Sequence, residues 1–119
     1  MPEVSEADLR RMRNSFRFDV AQRLAAVAGE RRTITYGELT DEFGIPTRSW
    51  GWILGGIALR CHKEELPILS VLAVNKATGL PSPAARLYRD LGIDGDDAMR
   101  AEQQRCLASD WTKTLLARG

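Results

Sequence analysis

Arg60-Cys61-His62-Lys63 is the one stretch of this sequence that sets a thiol beside an imidazole and between cations. Neighbouring cations lower a thiol's pKa, and the thiolate is the form that attacks carbon or binds metal. The motif is thin for either use. His62 is the only histidine and Cys106 the only other cysteine, whereas a zinc site needs three or four ligands. The four residues run into Glu64-Glu65 at the end of a helical stretch, so an unactivated thiol at a helix end is the expectation. The carboxylate pairs Glu64-Glu65 and Asp96-Asp97 are sequence neighbours, which point different ways on a helix. Solvated turns and helix starts explain them better than acid–base catalysis. No Gly-rich phosphate loop is present. Gly55-Gly56 is a pair inside a helix, where each glycine costs ~1 kcal/mol relative to alanine. Such a pair signals close helix packing or the approach of a backbone or ligand.

The elements that must hold these residues fit one compact domain of 119 residues, 44% hydrophobic and 28% charged. Seventeen basic residues stand against 16 acidic ones. That is not the strongly basic balance of many nucleic-acid binders, so any contact with DNA must come from local clustering. Two cysteines and a charged start with no apolar core, Met1 to Arg17, point to reduced thiols in a cytoplasmic protein. The longest apolar runs, Ile53 to Leu59 and Ile68 to Val74, are far too short to span a bilayer. No membrane partner and no cofactor are expected.

Ser5 reads as the cap of a long helix whose apolar stripe runs Leu9, Met12, Phe16, Val20, Leu24 and Val27, with Gly29 as its stop. Arg10, Arg13 and Arg17 share that period and read as a solvated face. Thr33-Ile34-Thr35 is a short extended entry, and Thr35 caps a second helix, Gly37 to Phe43, ended by Gly44. Ile45-Pro46-Thr47 is a tight turn, and Thr47 or Ser49 caps a third helix reaching about Cys61. Short helix, turn, second helix is the helix-turn-helix layout. Pro67 to Val74 reads as a buried strand and Asn75 to Gly79 as a turn, so a two-stranded wing is expected. Ser82-Pro83 starts a helix carrying Leu87, Tyr88 and Leu91, closed by Gly92. Asp94 to Asp97 open a last helix with Met99, Cys106 and Leu107 on its apolar side, and the tail from Trp111 to Leu116 reads as core packing. The expected fold is α+β and mostly helical. It is a winged helix-turn-helix over 33–80, with an added N-terminal helix and two C-terminal helices over 81–119.

Thr35-Tyr36-Gly37-Glu38-Leu39 resembles the Thr/Ser-Tyr-Gly-x-Leu opening of the helix-turn-helix in alkylguanine-DNA alkyltransferases and alkyltransferase-like proteins. Leu54-Gly55-Gly56-Ile57 is similar to the Gly-containing stretch of that family's recognition helix. Leu66-Pro67-Ile68-Leu69, an apolar run and a turn ending in Gly79 resemble its strand and wing. The resemblance spans about residues 33 to 80 and implies double-stranded DNA as partner. In that family a Pro-Cys-His-Arg motif carries the alkyl-accepting cysteine. Counting back from Gly79 puts Ser70-Val71-Leu72-Ala73 in its place, so Val71 stands where the sulfur would be and no alkyl transfer is expected. The family also inserts an arginine into the base stack; alignment on Gly55-Gly56 places Trp52 there, with Arg48 one turn earlier.

Two functions follow as expectations. As a non-enzymatic DNA-binding protein, the chain would use Tyr36 on backbone and Arg48, Ser49, Trp50 and Trp52 early on the recognition helix. Arg60, Lys63 and Lys76 would reach phosphates. As a protein-interaction module, it would use Trp50, Trp52 and Trp111 as anchors, and its near-neutral charge would be an advantage.

Overall fold

A computed structural model of the chain describes residues 4–82 and 86–111. Ser5 caps α1 (Glu6–Asn14), its hydroxyl accepting from the Asp8 N–H. The expected single long helix is two. The Ser15 hydroxyl and N–H both turn back onto Arg11 O, Arg17 is extended, and α2 (Phe18–Gly29) begins on a new axis. The apolar period runs unbroken across this bend because the two halves serve different partners. Val20, Leu24 and Val27 enter the core fully buried, while Leu9, Met12 and Phe16 pack on it half-exposed.

Thr35 then caps α3 (Tyr36–Phe43) in a full capping box: its hydroxyl accepts from the Glu38 N–H and the Glu38 carboxylate accepts from its own N–H. Gly44 closes α3 in the left-handed region, φ 67°, where a side chain would be strained. After Pro46 a 3-10 turn over Thr47–Ser49 leads into α4 (Trp50–Lys63). The helix-turn-helix order is therefore present, although Ser49 makes no side-chain cap bond.

The expected strand from Pro67 to Val74 is mostly not a strand. Leu69–Leu72 form a 3-10 turn, and only Ala73–Val74 (β2) are extended. They pair in parallel with Ile34–Thr35 (β1), Ile34 opposite Ala73, so the described residues hold no antiparallel wing ribbon. Asn75 to Leu80 does turn tightly, the Asn75 N–H donating to Leu80 O at 2.8 Å. The physical reason lies in α6 (Asp96–Ala108). The Glu102 carboxylate accepts from the Ile68 N–H at 2.7 Å, and the Gln103 amide donates to Val71 O at 3.0 Å. Both side chains are buried. Backbone groups that a ladder partner would have satisfied are taken by side chains 34 and 32 residues away.

The start expected at Ser82-Pro83 lies partly outside the described residues; α5 (Leu87–Asp90) follows, with Leu87 and Tyr88 buried. Trp111 is core, its Nε1–H donating to Cys106 O at 2.8 Å; residues 112–116 lie outside the described residues. No described helix is long and apolar enough to cross a membrane.

α1 lies along α4 in the same direction. The Arg11 guanidinium covers the Trp52 ring at 4.1 Å, and the Arg60 guanidinium covers the Phe16 ring at 5.3 Å. Between these contacts the helices touch at Gly55-Gly56. A Cβ on Gly56 would meet Met12 O at 2.3 Å, and one on Gly55 would meet the Met12 side chain at 2.7 Å. The glycine pair is thus a seat for a backbone. Gly56→Ala, which must push a main chain aside, is expected to destabilise by about 2–3 kcal/mol. Gly55→Ala should cost less because Met12 can re-rotate. Gly51→Ala, with open space around it, should be neutral or slightly stabilising. Urea midpoints of the three variants check the order.

Candidate functional site

The first turn of α4, the start of α3, α1, Ser82 and the residues from Arg86 to Tyr88 enclose a cleft of about 650 Å³. Tyr36, Arg48, Trp50 and Trp52 line it, which brings together four of the DNA-contact residues expected from sequence. Each is placed by a local cause. Tyr36 is the first residue of α3, fixed by the Thr35–Glu38 capping box, and its hydroxyl accepts from the Ser82 N–H at 2.8 Å. Burial pushes this phenol above its ordinary pKa, against the lowering effect of the Ser82 bond. Arg48 projects from the 3-10 turn into solvent. Trp52 is half-buried under Arg11, a cation–π arrangement that fixes both side chains. Ser49 is half-buried beside Arg48.

Trp50 is a correction. It was expected among the contact residues early on the recognition helix, but only 2% of it is accessible. Its Nε1–H donates to the Thr40 hydroxyl at 2.9 Å and its ring meets Phe43 edge-on. An indole needs a hydrogen-bond partner when buried, and Thr40 on α3 supplies it. Trp50 therefore locks the two helices of the motif together and, although it borders the cleft, offers a ligand almost no surface.

Arg60 and Lys63 stand apart from the cleft, towards the far end of α4 and roughly 12 and 16 Å along the helix from Trp52 at 1.5 Å per residue. Arg60 is paired loosely with Glu64 at 3.7 Å; Lys63 is exposed. Lys76 is exposed on the turn after β2, next to Asn75, which lines the cleft.

Sequence reasoning missed three contributors. Arg86 lines the cleft opposite α4, Arg11 roofs Trp52, and Asp8 is the single carboxylate among the described lining residues. Arg11 lies off the Arg10–Arg13 ridge, and Arg86 read only as part of a helix. Nothing in their local sequence marks them, because the cleft joins segments dozens of residues apart.

The thiols lie elsewhere. Cys61 and Cys106 are both buried and free. Burial pushes the Cys61 thiol up to about 12, with Glu102 adding to the rise and the Leu69 N–H and Arg60 opposing it. Burial likewise raises Cys106. His62 points away from this environment, exposed to solvent. Val71 is wholly buried, and no residue from Pro67 to Val74 carries sulfur. Among the described residues no three His, Cys, Asp or Glu side chains come together to hold a metal. Compared with known protein families, characterised sequences and solved structures, the chain matches none.

A thiol that ionises near 9 in the unfolded chain and only near 12 when folded favours the native state at lower pH. Below about 9 that contribution is fully present, and it is lost as pH rises through the window up to 12. The urea midpoint is therefore expected to fall above pH 9, with a shallower fall in the Cys61→Ala, Cys106→Ala double variant. Native protein at pH 8 should also leave a thiol-reactive dye unlabelled until it is unfolded.

Proposed function

We propose that this chain is a non-catalytic DNA-binding module of the helix-turn-helix type, similar in plan to the winged helix of alkyltransferase-like proteins and without alkyl transfer. The observation that supports it is the charge and shape of the cleft at the first turn of α4. Arg48 and Arg86 face it, Arg11 roofs its indole wall, and Asp8 is the one opposing carboxylate among the described lining residues. Helix-turn-helix proteins place the N-terminal residues of the second helix against base edges. Here those residues are Arg48, Ser49 and Trp52, with Tyr36 beside them. The Asn75–Leu80 turn stands in for the wing and carries Lys76 towards phosphate. Trp50 has no part in contact. Absence of a thiol anywhere between Pro67 and Val74, together with two buried cysteines of raised pKa, supports the non-catalytic reading.

A protein partner is the competing reading, favoured by a near-balanced charge of 17 against 16 and by the half-exposed Trp52. A salt titration against random duplex DNA separates the two. DNA binding predicts affinity falling steeply with salt, by about 0.9 logarithmic units per tenfold salt for each phosphate engaged. Arg48→Ala with Lys76→Ala is expected to weaken binding and lower that slope by about 2. Cys61→Ser is expected to leave it unchanged. No binding at low salt would sink the DNA reading in favour of a protein partner.

A further inference from the structure

Resting on the DNA-binding reading, we infer that α1, rather than the middle of α4, is the element laid against duplex DNA, with Arg10 and Arg13 on its phosphates. The middle of α4 has no free face. Ile53 to Ala58 are all buried, apolar core on one side and α1 on the other. The cover is seated backbone to backbone, Met12 O over Gly56, a fit that any Cβ would spoil. A second helix so placed cannot enter a groove along its length. Whatever reaches the molecule on that side meets α1 first.

The outer surface of α1 suits a polyanion. Arg10 and Arg13 are three residues apart, so they share one side of the helix about 5–6 Å from each other. Both are exposed, and neither is ion-paired among the described residues. Their neighbour Arg11 is already engaged on Trp52, which ties this helix to the rim of the cleft. Arg60, past the last turn of α1, continues the positive surface over Phe16. Two carboxylates precede them on the same helix, Asp8, which lines the cleft, and Glu6, one turn before Arg10. Two unengaged guanidinium groups hold nothing together in the fold, and their planar forks match phosphate oxygens. A duplex lying along α1 would keep the first turn of α4, Arg48 and Trp52 within reach at one end.

The test compares wild type with Arg10→Ala, Arg13→Ala in the full chain, by fluorescence anisotropy on random duplex DNA across a salt series. Arg100→Glu on α6 serves as control, since it removes the same two units of positive charge. The expected result is a loss of roughly tenfold or more at low salt and a slope smaller by about 2 in the α1 variant alone. Equal binding by wild type and the α1 variant, while Arg48→Ala with Lys76→Ala still weakens it, overturns the role of α1 and leaves the DNA reading standing. The same loss in Arg100→Glu reduces the effect to net charge and overturns it too. If wild type binds no duplex at low salt, the DNA reading fails and takes this role with it.

Discussion

The contact between the Met12 carbonyl and Gly56 governs how the rest of this molecule can present itself. Two helices approach so closely only where one of them lacks side chains at the crossing, and Gly55-Gly56 provides that gap in the middle of α4. The gap has an intrinsic cost, since two glycines in a helix interior give up ~1 kcal/mol each. Burial of Met12 and Phe16 and the two guanidinium–ring contacts that bracket the crossing offset it. Once α1 is seated, α4 becomes an interior helix with only its ends open. A motif whose order is that of a recognition module thereby acquires an outer layer, and the surfaces left accessible are the ends of α4 and the outside of α1.

A second dependence runs through α6. Glu102 and Gln103 are buried polar side chains, a costly placement unless every polar atom is engaged. Glu102 accepts from the Ile68 N–H and from Arg105, while Gln103 donates to Val71 O and Gly79 O. These bonds hold the 68–79 segment in a conformation that has almost no ladder of its own. The Ser70 and Tyr88 hydroxyls share a hydrogen bond at 2.9 Å inside the same layer. Among the described residues no buried side-chain nitrogen or oxygen is left without a partner. The position of Lys76 and Asn75 beside the cleft thus rests on α6, whose Gln103 holds the chain on either side of them at Val71 and Gly79.

What the sequence made legible was local. The Ser5 cap, the Thr35 cap, the Gly44 stop and the helix-turn-helix order all depend on residues near one another in the chain, and the structure has each of them. The close-packing role of Gly55-Gly56 was legible from its cost. Three features were not. The α1–α2 bend is invisible to periodicity because the apolar stripe continues across it. The short apolar run at 68–74 is compatible with strand or with a buried turn, and the choice was made by Glu102 and Gln103, far along the chain. Trp50 and Trp52 are two residues apart and of one type, yet one is sealed by Thr40 and Phe43 and the other lies open under Arg11. Which indole is buried depends on where α3 and α1 pack, and that is a property of the whole fold.

Net charge is a poor guide to whether such a surface can attract an anion. At physiological ionic strength the Debye length is about 8 Å, so exposed charges further apart than that scarcely feel one another. A balance of 17 to 16 over the whole chain therefore says little about the field over one helix. What counts is the set of carboxylates inside that radius. At the cleft, Asp8 faces Arg48 and Arg86, with Arg11 on the adjoining wall. On α1, Glu6 and Asp8 precede Arg10 and Arg13, and at the end of α4 Glu64 already shares Arg60. Several other acids are likewise committed to bridges, Glu42 to Arg23 and Asp19 to Arg17, each holding its carboxyl below its ordinary pKa. Cations left over after such pairing are the ones free to meet a partner, and along α1 and the first turn of α4 they are arginines.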